Sequence, residues 1–282
     1  MTGIGSSTFW LTLGAWIGWP VVVAAQLEVL TNADPQRVFG GAVREISVVL
    51  HNTGGRVIEV EARTRLQQLT SATAVRLDDA PWKHFEVLAG QTVIESALLD
   101  LPAVNAETRF LIQWLEGTNR VFGTTELLVY PRNLLKELGT LAGEGSLGAF
   151  DPENQLKPLL KNAGVEFVDL QDTGLDRFTG KLAIVGPFAS EAPVRDGLTE
   201  QIEAAAKRGT AIVWIQPPPK SREKLKPSFY SVPVGRRNVV VVQPSLIADP
   251  AENPKSQLNL IQFARMALHP EPLRLPRDEP EP

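Results

Sequence analysis

The chain has 282 residues, a net charge of −4 and 43% hydrophobic content, which leaves room for two cores and is ordinary for a globular protein. It contains no cysteine, so disulfides, thiolate metal sites and Cys nucleophiles are excluded. Its three histidines, His51, His84 and His269, stand far apart without ligand spacing, and no global basic excess marks a nucleic-acid binder. The expectation is therefore no catalytic residue, no metal, no cofactor and no nucleic acid as partner.

Phe9 to Ala25 is uncharged and apolar and ends in Val23-Ala24-Ala25, a small-residue pattern suited to cleavage after Ala25. Residues 1–25 are expected to be a signal peptide. The alternative is an uncleaved membrane anchor, although the run is broken by Pro20 and short for a span. Both place the rest of the chain outside the cytoplasm, periplasmic, extracellular or held at the membrane.

From Gln26 the dominant period is two. Ile46, Val48 and Leu50 alternate with Glu45, Ser47 and His51, and Ile58, Val60 and Ala62 alternate with Glu59, Glu61 and Arg63. Runs at 27–30, 74–77, 91–101, 107–115 and 120–130 continue the style. Turns at Asn52-Thr53-Gly54-Gly55, Ala89-Gly90 and Gly117-Thr118-Asn119 separate the runs. Residues 26–131 are expected to form an all-β sandwich of seven or eight strands. Trp114 is in phase with Phe110 and Ile112 and is expected in the core, while Trp82 is left open between core and surface.

A linker follows at 132–145, with a helical stripe of Leu134, Leu135, Leu138 and Leu141. Gly143 to Gly148 is a literal G-x-G-x-x-G. In a dinucleotide site those glycines follow a strand and open a helix, and here the order is reversed, so a hinge is the expectation.

From 146 to 268 strands and helices alternate. Strands are expected at Leu147–Phe150, Val165–Leu170, Leu182–Val185, Ala211–Ile215 and Asn238–Val242. Helices are expected at Gln155–Asn162, around Leu198, Ile202 and Ala205, and at Ser256–Leu268 with Ser256 as N-cap. The pattern predicts an α/β doubly wound parallel sheet. The basic loop Pro217–Arg237 and the five prolines of residues 269–282, expected to be a disordered tail, complete the chain.

Two resemblances attach to these residues. Ile46 to Gly54, Leu88 to Thr92 and Leu99 to Pro102 resemble the turn-bounded strands of bacterial immunoglobulin-like modules. Leu147 to Asp151, Lys181 to Pro187 and Ala205 to Trp214 are similar to class I glutamine-amidotransferase-like domains of flavodoxin-like architecture. The second resemblance implies a catalytic Cys and His that this chain lacks, hence a non-catalytic member.

Ligands in open parallel sheets bind beyond the carboxyl ends of the strands. The candidate ligand-binding residues are therefore Asp151, Phe188, Ser190, Glu191 and Gln216, with capping or loop roles as the plainer reading of Asp151, Ser190 and Glu191. Phe188 is expected to seal the contact with the sandwich. The function expected is a non-enzymatic, exported scaffold or interaction subunit at the bacterial cell envelope. A protein partner there is expected, with carbohydrate or membrane contact through the N-terminal segment or the basic loop as further options. The alternatives are a carbohydrate-binding accessory protein and a carboxylate-dependent hydrolase built on Asp151 or Glu191.

Overall fold

A computed structural model describes residues 26–31, 34–188, 196–217 and 228–269. The N-terminal apolar segment, Ser190, Glu191, residues 218–227 of the basic loop and the proline-rich tail lie outside the described residues. Among the described residues no helix is long and apolar enough to cross a membrane.

The first half is built from eight strands: β1 (Leu27–Leu30), β2 (Gln36–Phe39), β3 (Ala42–Asn52), β4 (Ile58–Leu69), β5 (Ala74–Val87), β6 (Thr92–Leu101), β7 (Thr108–Glu116) and β8 (Arg120–Tyr130). They form a three-stranded sheet, β1-β3-β6, and a five-stranded sheet, β2-β8-β7-β4-β5. The alternation read in the sequence places Ile46, Val48 and Leu50 of one sheet against Val60, Ala62, Phe110, Ile112 and Trp114 of the other, all buried in one core. Burying apolar side chains stabilises the pair of sheets by about 25 cal/mol per Å² removed from water. Trp114 is fully buried, and its indole N–H donates to Thr125 Oγ1 at 2.8 Å.

Two features here differ from the sequence reading. The expected strand 74–77 is the start of a longer β5 that runs to Val87, with register shifts at Ala62/Arg63 and Leu66/Gln67 that break its period. Trp82, left open between core and surface, lies within this strand, half-buried, its ring 4.8 Å from that of Trp114 and its N–H donating to Ser96 O. The short β2 was not anticipated, because four residues without alternation carry no periodic signal. It pairs parallel to β8.

The second half begins with α1 (Lys136–Ala142) and β9 (Leu147–Phe150). It continues through α2 (Lys157–Asn162), β10 (Val168–Asp169), α3 (Leu170–Thr173), β11 (Leu182–Val185), α4 (Leu198–Lys207), β12 (Ala211–Ile215), β13 (Phe229–Val234), β14 (Arg237–Val242) and α5 (Pro254–Leu268). The sheet order is β10-β9-β11-β12-β14-β13, parallel except for the β13 edge. Residues of α1, α2 and α5 cover one face and α4 the other, so strands such as Leu182–Val185 are apolar throughout. The chain as a whole is a mixed α/β fold with several sheets.

Here too the expectation needs correction at the element ends. The strand placed at 165–170 is only two residues long, because Asp169 turns the chain into α3 by accepting from the Gln171 N–H. The cap of α5 is Asn253, whose Oδ1 accepts from Lys255 N at 3.0 Å, and not Ser256, whose hydroxyl donates to Ala248 O. Residues 229–234, read as loop, are the edge strand β13.

The halves meet at one end of the sandwich. Phe39, Leu128 and Tyr130 pack with Leu134 and Leu258, Arg44 pairs with Glu252, and Arg132 Nε donates to Gly40 O.

Candidate functional site

The strand order of the parallel sheet reverses at β9, which lies between β10 and β11. The crevice outside the carboxyl ends of these strands is the place where an open α/β sheet binds ligands. The chain leaves β9 at Asp151 and β11 at Gly186, whose N–H donates to Phe150 O at 2.8 Å. Gly186 has a φ of 96° and its Cβ position lies 2.6 Å from Ile215 O, so only glycine fits this exit.

Asp151 is 1% exposed. Its Oδ1 accepts from Gln155 N at 3.1 Å, and its Oδ2 accepts from Leu156 N at 2.7 Å and Lys157 N at 2.8 Å. These are orphan donors at the start of α2, so the carboxylate satisfies a helix end that carries no cap from its own N-cap residue.

Lys157, buried at the same helix start, places its ammonium 2.5 Å from Asp169 Oδ2 and against Gln171 Oε1. The other Asp169 oxygen accepts from Gln171 N at 2.9 Å. Burial alone would raise the Asp169 carboxyl, but the Lys157 ammonium and the Gln171 N–H outweigh it and hold it below the usual carboxylate range. Asp169 is therefore an anion at neutral pH, paired with a cation, and has no proton to donate.

Of the expected site residues, the structure brings Asp151 and Phe188 to the exits of adjacent strands. Phe188 is buried, its ring 6.4 Å from Phe150, and it packs with Leu198, Ile202 and Ala205 of α4. It does not seal the contact with the sandwich as expected, because that contact lies at α5 and β2. Gln216 is half-buried, and its backbone N–H donates to Val242 O. Ser190 and Glu191 lie outside the described residues. Lys157 and Gln171 escaped the sequence reading. A lone Lys at a helix start carries no pattern, while Asp169 followed by Gln171 was a legible cap signal.

Two clefts lie away from this edge. One of about 400 Å³ is bounded by Val29, Gln36, Ser47 and Thr124 on the sandwich. The other, of about 420 Å³, lies by Gly143, Gly145 and Gly164, before the strands and not after them. Among the described residues no group of three or more His, Asp or Glu could hold a metal.

No family model matches the chain, and no curated protein matches it. Solved structures resemble parts of it. An alkylpurine DNA glycosylase from Pseudomonas fluorescens, bound to DNA containing an abasic site analog, is 14% identical over 38% of this chain and 31% of its own, with a TM-score of 0.30. A Listeria innocua β-glucosidase in complex with glucose is 16% identical over 37% of this chain and 16% of its own, with a TM-score of 0.27. The CARDB domain of a Pyrococcus furiosus protein is 13% identical over 37% of this chain and 94% of its own, with a TM-score of 0.24. This chain thus spans under a third of the glycosylase and a sixth of the β-glucosidase.

Two expectations are corrected by these findings. The pairing of an immunoglobulin-like module with an amidotransferase-like domain is not upheld, since no family model and no curated relative supports it. The resemblance rested on turn residues and element order, which backbone geometry imposes on unrelated chains alike. The partner expectation, an envelope protein, carbohydrate or membrane contact with nucleic acid excluded, is withdrawn, because no family model and no curated relative supports any of these choices. Net charge was a poor ground for the exclusion, as it averages over local clusters such as Arg63, Arg65 and Arg76 around Asp79.

Proposed function

We propose that this chain is a non-enzymatic scaffold protein, exported to the bacterial cell envelope, in which a β-sandwich carries a doubly wound α/β unit. The observation that supports it is the state of the carboxyl edge of the parallel sheet. Both Asp151 oxygens accept backbone N–H groups, both Asp169 oxygens are occupied, and Lys157 is held by Asp169 and Gln171. A general base or nucleophile must face substrate, and these groups are engaged with helix ends and with each other. Export rests on the apolar run Phe9–Ala25 ahead of the first strand.

The test is a thermal-shift screen of the purified protein against nucleotides, dinucleotides and sugar phosphates, with Asp151→Asn and Lys157→Met alongside. The expected result is no saturable stabilisation by any compound, and lowered melting temperatures for both variants. A compound that stabilises the wild type and loses binding in Lys157→Met would overturn the reading. Export is checked separately, by sequencing the N-terminus of protein recovered from the periplasm of a bacterial host, which is expected to begin at Gln26.

A further inference from the structure

Exposed large apolar side chains are not scattered evenly over this molecule. In the second half, all those found among the described residues lie on one strand, the β13 edge: Phe229, Tyr230 and Val232. Phe229 leans on Phe263 of α5, whereas Tyr230 and Val232 share the other face, 41% and 42% exposed. Among the described residues no strand follows β13 in the sheet, which makes it an edge strand. The hairpin that ends β13 carries Arg236, exposed and without an ion pair among the described residues, and Arg237, half-buried.

In the first half a second patch occupies the outer face of the three-stranded sheet. Leu30, Val49 and Ile94 are directly paired across β1, β3 and β6, and Leu98 and Val43 extend the row. Ile94 is 75% and Leu98 73% exposed. The charged groups on this face are Glu28, Glu45 and Asp100, with no Lys or Arg at the outward positions of the three strands. On the five-stranded sheet, by contrast, Asp79, Glu116 and Glu126 are each matched by an arginine. The three acids of the small sheet make no ion pair among the described residues.

We propose that these two surfaces are for each other, and that the chain self-associates head to tail. The β13 hairpin of one copy seats Tyr230 and Val232 on the Leu30–Val49–Ile94 row of the next, with Arg236 facing Glu45 and Asp100. Contiguous exposed apolar side chains mark interaction surfaces, and the opposite charges at the two rims fix the pairing. A symmetric alternative through either surface alone would set acid against acid, or pair an edge from which Pro233 has removed a donor. A heterologous contact closes into a ring or continues as a filament according to the rotation between copies. One surface lies on the sandwich and the other on β13, which β12 and β14 separate from the exits of β9 and β11, so the failure of this proposal would leave the non-catalytic reading standing.

Sedimentation velocity on the purified chain tests it. The wild type is expected to associate with rising concentration, in the range of about 10 to 100 µM, and less so in high salt. Ile94→Asp and Tyr230→Asp are each expected to be monomeric with unchanged melting temperature. Mixed in equal amounts, the two variants are expected to recover a dimer and nothing larger, because each retains one intact surface. Glu45→Arg and Arg236→Glu should each weaken association, and the double reversal should restore it. A wild type that stays monomeric throughout the range would overturn the proposal. So would a mixture of Ile94→Asp and Tyr230→Asp that stays monomeric, or a Tyr230→Asp protein that still dimerises by itself.

Discussion

The two halves bury polar groups in different ways. Among the described residues, the sandwich buries the polar residues Asn52 and Thr64, whereas the α/β half buries Asp151, Lys157, Thr210, Asn238, Ser256 and Gln257. The reason is where each architecture leaves backbone groups unpaired. Strands of a sandwich satisfy their own N–H and C=O groups in ladders, so only a turn needs help. Helices leave orphan groups at each end, and these ends are buried against the sheet. Asp151 and Asn253 serve N-termini, while Asn238 and Arg237 donate to Met266 O and Leu268 O at the end of α5. A buried carboxylate at the edge of a parallel sheet is thus explained by helix-end chemistry before any catalysis is invoked.

The comparison breaks first at the cores. Trp114 is 0% exposed and joins both sheets, so Trp114→Ala is expected to cost about 3 to 5 kcal/mol. If the sandwich relied on polar contacts as the α/β half does, the loss would be smaller than that of any buried polar group. Chemical denaturation of the variant gives the comparison directly.

Asp151 and Asn52 form the sharper pair. Asp151→Ala strands three N–H groups, two of them buried, and is expected to cost about 3 kcal/mol, with Asp151→Asn milder because one acceptor survives. Asn52 donates to Arg56 O, Val87 O and Leu88 O and accepts from Gly54 N at a single turn. Asn52→Ala should cost about 2 kcal/mol. Equal losses measured by urea titration would contradict the view that helix ends carry the heavier polar load.

How much of this was legible depended on whether a residue's role is local. Period two exposed β3 and β4, and the short apolar runs exposed β9, β11 and β12. Asp151 could be read as a cap, since its partners Gln155, Leu156 and Lys157 follow closely in the chain. The ammonium of Lys157 finds partners more than ten positions on, and nothing in sequence points across that gap. The edge β13 was hidden because its face alternates with Pro233 and Ser231 and follows a run of charges, the composition of a loop. Phe188 was placed at the wrong contact because burial alone does not say which core a side chain joins.

Acid titration separates the halves next. Asp79 is held below the ordinary carboxylate range by hydrogen bonds from Arg63 and Arg65, and Asp169 chiefly by Lys157 against the opposing effect of burial. A depressed folded value adds stability that is present above the unfolded carboxylate pKa of about 3.9. That stability is lost as pH falls through the folded value. Lys157→Met should flatten the acid limb contributed by the α/β half and leave that of Asp79 untouched. Asp169→Ala should cost more than Lys157→Met at neutral pH, because it leaves the buried ammonium without its counter-ion. Melting temperatures between pH 2 and 7, read for each variant, decide the matter.

The smallest effect is expected where the halves meet. Tyr130 packs at that contact and donates its hydroxyl proton to Glu107 Oε2 at 2.7 Å. Burial first, and then the hydrogen bond to Glu107, push the phenol up from 10.0 to about 12. A raised folded value contributes stability below the unfolded pKa that is lost as pH climbs through the folded one, so the wild type should weaken between about 10 and 12. Tyr130→Phe keeps the ring among Phe39, Leu128, Leu134 and Leu258 and removes the proton. It is expected to cost about 1 kcal/mol at neutral pH and to abolish that alkaline step. An alkaline step that survives in Tyr130→Phe would assign it to a group away from the joint, and the contact between the halves would then rest on apolar packing, the Arg44–Glu252 pair and the Arg132–Gly40 hydrogen bond.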